Sequence, residues 1–300
     1  MVPVKILKSQ EDDSVNFIFE GNYPGSFEAR YVRRSPKYLA IYLSSQSGCA
    51  QACRMCHLTA TGQRDAIDAT LGDYIEQALT VFRWYDENCP KAEIVHFNFM
   101  ARGEAFDNKL FLEYGKDLFE QLGKEALSRN LFPRFLISTI MPASFSSQSL
   151  SKLFPVINPE IYYSIYSVRN EFRKKWLPKA MPVAEALTML KEYQENTKKI
   201  IKLHWAFIEG GNDSEEDVRA LCNTIIDSGV RVDIAIVRYN PYSEKFGEEP
   251  DISVIERNVE IIKKLLPFSK VKIITRVGFD VKASCGMFIE STKLVQKSSP

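Results

Sequence analysis

Residues 38–56 read YLAIYLSSQSGCAQACRMC, and their order decides how the rest of the chain is parsed. The first part, 38–45, is rich in β-branched and aromatic residues and has the character of a strand. The second part turns small and polar, then sets Cys49, Cys53 and Cys56 in a C-x3-C-x2-C spacing. Similar strand-like runs recur downstream at 93–101, 133–139, 160–167, 200–208, 231–239 and 270–276. Their near-continuous apolar character predicts strands covered on both faces. Between them, amphipathic stretches at 66–87, 108–128, 182–196, 213–228 and 251–266 predict helices. In 213–228, Asp213 or Ser214 suits the cap, and Glu215, Glu216 and Asp217 meet the positive helix end.

Strand and helix alternating in this way imply parallel βαβ units, hence an α/β fold. With about six units, a full or partial β/α barrel is favoured over an open doubly wound sheet, and a partial (β/α)6 barrel is the expectation. No G-x-G-x-x-G follows the first strand, which argues against a dinucleotide-binding sheet. Residues 14–34 differ: two strand-like runs flank the turn-rich 21–25 (GNYPG), which predicts an N-terminal β-hairpin. The expected organisation is a hairpin extension over 1–37, a barrel over 38–290 and a polar tail over 291–300.

The chain has 300 residues and is 45% hydrophobic, enough to bury a large core in one catalytic domain. A formal net charge of +1 points to no particular partner, so a nucleic-acid ligand would need a local basic face. No run approaches the length of a membrane span or a signal peptide, so a cytoplasmic protein without membrane attachment is expected. Three of the six cysteines lie within eight residues, and with no export signal metal binding is a better reading than disulfides.

Three thiolates leave the fourth iron of a cubane cluster without a protein ligand, and an open metal position is where a cosubstrate coordinates. Cys89, Cys222 and Cys285 all lie far from the trio in sequence. A zinc site completed by His57 is the other reading, although a histidine directly after a ligating cysteine has difficulty reaching the same metal.

The cysteine spacing after the first barrel strand resembles that of the radical S-adenosylmethionine (SAM) superfamily. The resemblance implies a partial barrel of that type, a 4Fe–4S cluster on Cys49, Cys53 and Cys56, and S-adenosyl-L-methionine chelating the open iron through its amine and carboxylate. It also implies reductive cleavage to a 5′-deoxyadenosyl radical, an electron donor such as flavodoxin or ferredoxin, and a monomer. Met55 stands where the superfamily usually has an aromatic residue, and a methionine still packs an adenine.

Within that superfamily, 44–49 (SSQSGC) resembles the S-S-Q-x-G-C lead-in of the RlmN/Cfr family, which methylates adenine in RNA. Gly103-Glu104 resembles the family's G-E-P, with Ala105 in place of proline. Ser138 in I-S-T, Ser164 in Y-S-I-Y, Asn240 in R-Y-N-P-Y and Cys285 in A-S-C-G follow in family order, so the likeness spans residues 27–287. It implies that Glu104 binds the cationic amine of SAM and that Ser138, Ser164 and Asn240 contact its ribose or carboxylate.

Two departures bear on chemistry. The family's methylation uses one cysteine that corresponds to Cys285 and a resolving cysteine seven residues before Cys49, where this chain has Tyr42. A phenol titrating near ~10 is a poor substitute for a thiol. The family's N-terminal RNA-binding region is reduced here to the hairpin, with Glu28 near the position of an active-site acid. Basic residues Arg30, Arg33, Arg34 and Lys37, and Arg169, Arg173, Lys174, Lys175 and Lys179 around Trp176, are candidate contacts to a nucleic acid or nucleotide. The expected function is hydrogen abstraction from a nucleobase, for example isomerising an amino-acid adduct on thymidine in viral (phage) DNA. Cys285 would then donate a hydrogen atom to the substrate radical. The alternatives are an adenine C-methyltransferase acting on RNA and a non-catalytic metal-binding RNA module.

Overall fold

A computed structural model describes residues 2–21 and 23–290; the expected polar tail lies outside the described residues. Ten strands form one sheet in sequential order: β1 Lys5–Lys8, β2 Val15–Phe19, β3 Phe27–Ser35, β4 Tyr38–Leu43, β5 Ile94–Phe99, β6 Phe132–Thr139, β7 Glu160–Ser164, β8 Ile201–Trp205, β9 Val232–Ile236 and β10 Val271–Ile273. Pairing is antiparallel from β1 to β4 and parallel from β4 to β10. All seven expected parallel strands are present, as is the hairpin, here β2–β3. The four-residue β1 was not anticipated; its Lys-Ile-Leu-Lys is too short and too exposed to carry a pattern.

The long helices α2 Leu71–Asn88, α3 Lys109–Leu127, α6 Val183–Thr197, α7 Glu215–Ser228 and α8 Ile252–Leu265 fall inside or within a residue or two of the predicted stretches. Their starts follow from capping side chains: Thr70 and Asp73 form a reciprocal box at α2, Asn108 caps α3, Ser214 caps α7 and Asp251 caps α8. Three short helices, α1 His57–Ala60, α4 Leu150–Leu153 and α5 Asn170–Trp176, are too brief to announce themselves by period.

The parallel strands alternate by two. Leu39, Ile41, Leu43, Val95, Phe97, Phe99, Phe135, Ile137, Ile161, Tyr163, Leu203 and Trp205 are buried in one core with the helices. Within it Phe119 of α3 stacks on Phe135 at 4.4 Å and on Phe154 at 5.4 Å. Each such ring removed from water contributes roughly 1.5–3 kcal/mol. The opposite face departs from expectation. Tyr38, Tyr42, His96, Asn98, Ser138, Tyr162, Lys202, His204 and Asp233 line a lumen of about 440 Å³ enclosed by the curved sheet. Only the outer strand face is covered by helices. The strands read as continuously apolar because tyrosine, histidine and alanine on the inner face look like core residues in sequence.

The sheet does not close, since β1 and β10 stand at its two edges. Residues 278–289 bridge the gap as an irregular strap. Asp280 accepts from Ser9 Oγ at 2.7 Å and from the Gln10 amide at 2.8 Å, and the Gly278 amide donates to Asp12 at 2.7 Å. Further along, the Val281, Ser284 and Met287 carbonyls accept from Asn16 and Arg30 on the hairpin.

Candidate active site

Loops at the carboxyl ends of β4 to β7 meet the strap around a cavity of about 150 Å³. It is lined by Cys49, Cys53, Met55 and Cys56 after β4, Gly103 and Glu104 after β5, Ser138 on β6, Ser164 on β7, and Gly286 of the strap. This is the face of a β/α barrel on which chemistry is usually built. Eight of the predicted site residues therefore converge on one space.

The S-S-Q stretch explains its own composition. Ser44 Oγ donates to the Glu28 carbonyl at 2.6 Å and accepts from the Glu28 and Arg102 amides. Gln46 donates to Asp68 at 2.9 Å and accepts from the Glu104 amide at 3.1 Å, so it ties the cysteine loop to the Gly103-Glu104 loop. Gly103 adopts φ +87°, and a Cβ there would stand 2.6 Å from the Gln46 side chain, so glycine is required where the two loops cross. Ala52 takes the left-handed region (φ 57°) between Cys49 and Cys53, a strained turn that compresses the loop.

Burial raises the pKa of all three thiols: Cys56 is pushed up to about 11, and Cys49 and Cys53 higher still, with each of those two also feeling neighbouring cysteines. Such thiols become thiolates when a metal supplies the compensating charge. The donor set fits an iron–sulfur cluster, in which each sulfur takes its own iron. Among the described residues no three histidine, cysteine or acidic side chains gather tightly enough to hold a single ion. His57 is no fourth ligand. Its Nε2 lies 3.2 Å from the Asn240 carbonyl, its ring meets the Tyr242 ring edge-on at 5.2 Å, and its amide donates to the Gly286 carbonyl.

Glu104 is 5% exposed, and burial lifts its pKa to about 7. Its carboxylate accepts from the Phe106 and Ile140 amides, both at 3.1 Å. Among the described residues it forms no ion pair, so a ligand cation would find an acceptor there.

Other predicted residues lie elsewhere. Glu28 does not face the cavity: it is fully buried, pairs with Arg30 at 3.0 Å and Arg102 at 2.9 Å, and accepts from Asn16 and the Ile289 amide. Burial alone would raise its pKa, but the two guanidinium groups hold it below the usual carboxylate range. Asn240 lies outside the lining. It donates to the Cys285 carbonyl at 2.9 Å and to Ser284 Oγ at 3.2 Å, which fixes the strap. Tyr42 and Cys285 line the lumen, which joins the first cavity through the shared residues Met100, Ser138 and Gly286.

The basic candidates divide. Arg30 is buried against Glu28, and Arg173 is buried with its guanidinium on the Ile165 and Met181 carbonyls. Arg33 is held by the Pro36 and Pro90 carbonyls. Trp176 packs in a small core with Phe172, Met55 and Tyr239. Lys37, Lys174, Lys175 and Lys179 are exposed, Arg169 pairs with Asp217 at 2.5 Å, and Arg34 faces the lumen. The lumen residues His96 and His204 carry no motif that singles them out in the sequence. Burial lowers the pKa of each ring to about 4, leaving both neutral near pH 7. Sequence reading missed Arg102, whose neighbour Gly103 was the only nearby signal.

No family model matches the chain. The chain is 27% identical over 263 residues to the dual-specificity RNA methyltransferase RlmN of Aliarcobacter butzleri, covering 86% of this chain and 68% of that one. It is 26% identical over 300 residues to the ribosomal RNA large subunit methyltransferase Cfr of Clostridium botulinum, covering 96% and 80%. Among solved structures, a radical SAM methyltransferase from Sphaerobacter thermophilus superposes with a TM-score of 0.82 at 19% identity, over 96% of this chain and 81% of that one, which establishes the shared fold. No described helix is long and apolar enough to cross a membrane. With its three thiols gathered at the mouth of an open parallel sheet, the chain shares the fold of a radical SAM methyltransferase and resembles the RlmN and Cfr methyltransferases in sequence.

Proposed function

We propose that the protein modifies a nucleobase in nucleic acid by hydrogen-atom abstraction, without the two-thiol route of methyl transfer. One observation carries this reading: Cys285 is the sole thiol among the residues lining the lumen, and Tyr42, which stands where a resolving thiol is needed, accepts a hydrogen bond from Arg34 at 3.1 Å. The RNA-methylating relatives support a nucleic-acid substrate.

When bound, a 4Fe–4S cluster and SAM would supply a 5′-deoxyadenosyl radical. The chain's residues then have distinct tasks. Cys49, Cys53 and Cys56 hold the cluster, Glu104 accepts the amine of SAM, Ser138 and Ser164 offer hydroxyls along the same wall, and Met55 packs against the adenine. Cys285 stands on the lumen side, where its S–H reaches a substrate rather than the cluster loop. An isomerisation, such as that of an amino-acid adduct on thymidine in viral DNA, suits this set. One hydrogen leaves in 5′-deoxyadenosine and Cys285 would give one to the product radical; an electron from the donor and a proton would then restore the thiol, so each turnover would consume one SAM and two electrons.

Incubating anaerobically reconstituted enzyme with a reductant, methyl-labelled SAM and DNA or RNA tests the reading. The expected result is 5′-deoxyadenosine with no label in the nucleic acid. Label in adenine together with S-adenosylhomocysteine overturns it in favour of C-methylation, the second reading, which the named activity of the relatives and the family-like setting of Cys285 favour.

A further inference from the structure

The cations that line the lumen are unequally partnered. Of its cationic lining, Arg30 is neutralised by Glu28 and Lys202 by Asp233 at 2.5 Å. Lys270 and Lys272 stand at the floor on and beside β10, at the outer rim of the sheet. His204, beside Ser138 Oγ at 3.3 Å, and His96, stacked on Tyr38 at 4.5 Å, are neutral rings. Arg34, on β3, remains. Among the described residues it makes no ion pair, and its guanidinium donates only to the Tyr42 hydroxyl. Its side chain is exposed and lines both the lumen and a neighbouring cavity beside Lys8, Asp12 and Trp84. A second orphan faces the same space: Asn98, 4% exposed on β5 and paired in register with Tyr42, has no partner for its Oδ1.

We propose that the lumen is a binding site for an anionic substituent of the substrate, with Arg34 as its counter-ion and Asn98 as a polar contact. A guanidinium presents a planar fork that matches carboxylate or phosphate, and a polar cavity of a few hundred Å³ is the size that small ligands occupy. Tyr42 is then a positioning residue: its hydroxyl holds the guanidinium in the lumen, and this gives a reason for an aromatic alcohol at that place on β4. Two sources share the chemistry, a carboxylate carried by a modified base and the phosphate of a nucleotide. The inference rests on the base-modifying reading only for the nucleoside part of the ligand.

The test uses reconstituted holoenzyme with SAM and measures binding of 5-carboxymethyl-2′-deoxyuridine, its neutral carbamoylmethyl analogue and thymidine 5′-monophosphate, in wild type and in Arg34→Gln and Arg34→Lys. The acid should bind about tenfold or more tighter than the amide in wild type, as a charge-assisted pair does. Arg34→Gln should erase that preference, and Arg34→Lys should keep part of it. A preference for the monophosphate over thymidine that Arg34→Gln erases in the same way assigns the site to phosphate. Acid and amide binding alike, with no preference for the monophosphate over thymidine, or a preference that survives Arg34→Gln in a variant of unchanged melting temperature, overturns the proposal. Formation of 5′-deoxyadenosine by the wild-type enzyme without any nucleoside reports on radical SAM chemistry separately, so the two readings fail independently.

Discussion

The cavity at the cysteine loop and the lumen beneath it touch at Met100, Ser138 and Gly286, yet they are assembled from different kinds of chain. The first is made by loops, in which several lining residues come from one short run: Cys49, Gln51, Cys53, Met55 and Cys56. The second is made by alternate residues of many strands, with no strand contributing a compact motif. Loop sites therefore leave a local signature, whereas a lumen is written one residue in two across the chain. Chemistry common to a superfamily belongs in the first kind of site, and substrate choice has room in the second.

Substitutions should separate the two. Cys53→Ala should abolish cluster loading, read as loss of the visible iron–sulfur absorbance, and with it all 5′-deoxyadenosine formation, while the fold persists by circular dichroism. If the cluster still assembles, the assignment of the upper cavity fails. Glu28→Ala should act on stability, since it strands two buried guanidinium groups; the expected loss is about 3 kcal/mol in denaturant unfolding. The same pair predicts a pH dependence. Because the folded-state pKa of Glu28 lies below its unfolded value, its contribution is present at neutral pH and lost as pH falls below the usual carboxylate range and through the folded value. Thermal melts across that range in wild type and Glu28→Gln should converge at the acid end.

Glu104→Gln should weaken SAM binding about tenfold, because one buried carboxylate faces the cationic amine. Calorimetry on the reconstituted protein measures this, and unchanged affinity would remove Glu104 from the site. The smallest effect is expected at Tyr42→Phe. Loss of one hydrogen bond to Arg34 should weaken binding of an anionic nucleoside by a few-fold, with SAM affinity unaltered.

The parallel strands and long helices were legible because each buries one apolar face at its own period, and the helix starts carry capping side chains such as Thr70 and Ser214. The cysteine loop was legible because ligands for one group must be close in sequence when one loop supplies them all. The lumen was not. His96 and His204 sit between apolar neighbours, and a period-two pattern of aromatic and aliphatic residues reads as two buried faces. Glu28 and Arg102 were misplaced or missed for a related reason. Partners 74 residues apart meet only when the hairpin folds against the β5 loop.

The strap over 278–289 sets the order in which the molecule can be finished. Gln63, next to the cysteine loop, donates to the Ile289 carbonyl across 226 residues of chain. During synthesis the sheet and its helices can grow pair by pair from the hairpin, and the roof of both chambers emerges after them. A nascent protein is thus a gutter without a lid, its three thiols fully open to solvent and oxidant until the strap arrives. Iron delivery before that moment meets an open loop, and afterwards a loop whose three cysteines are half-buried.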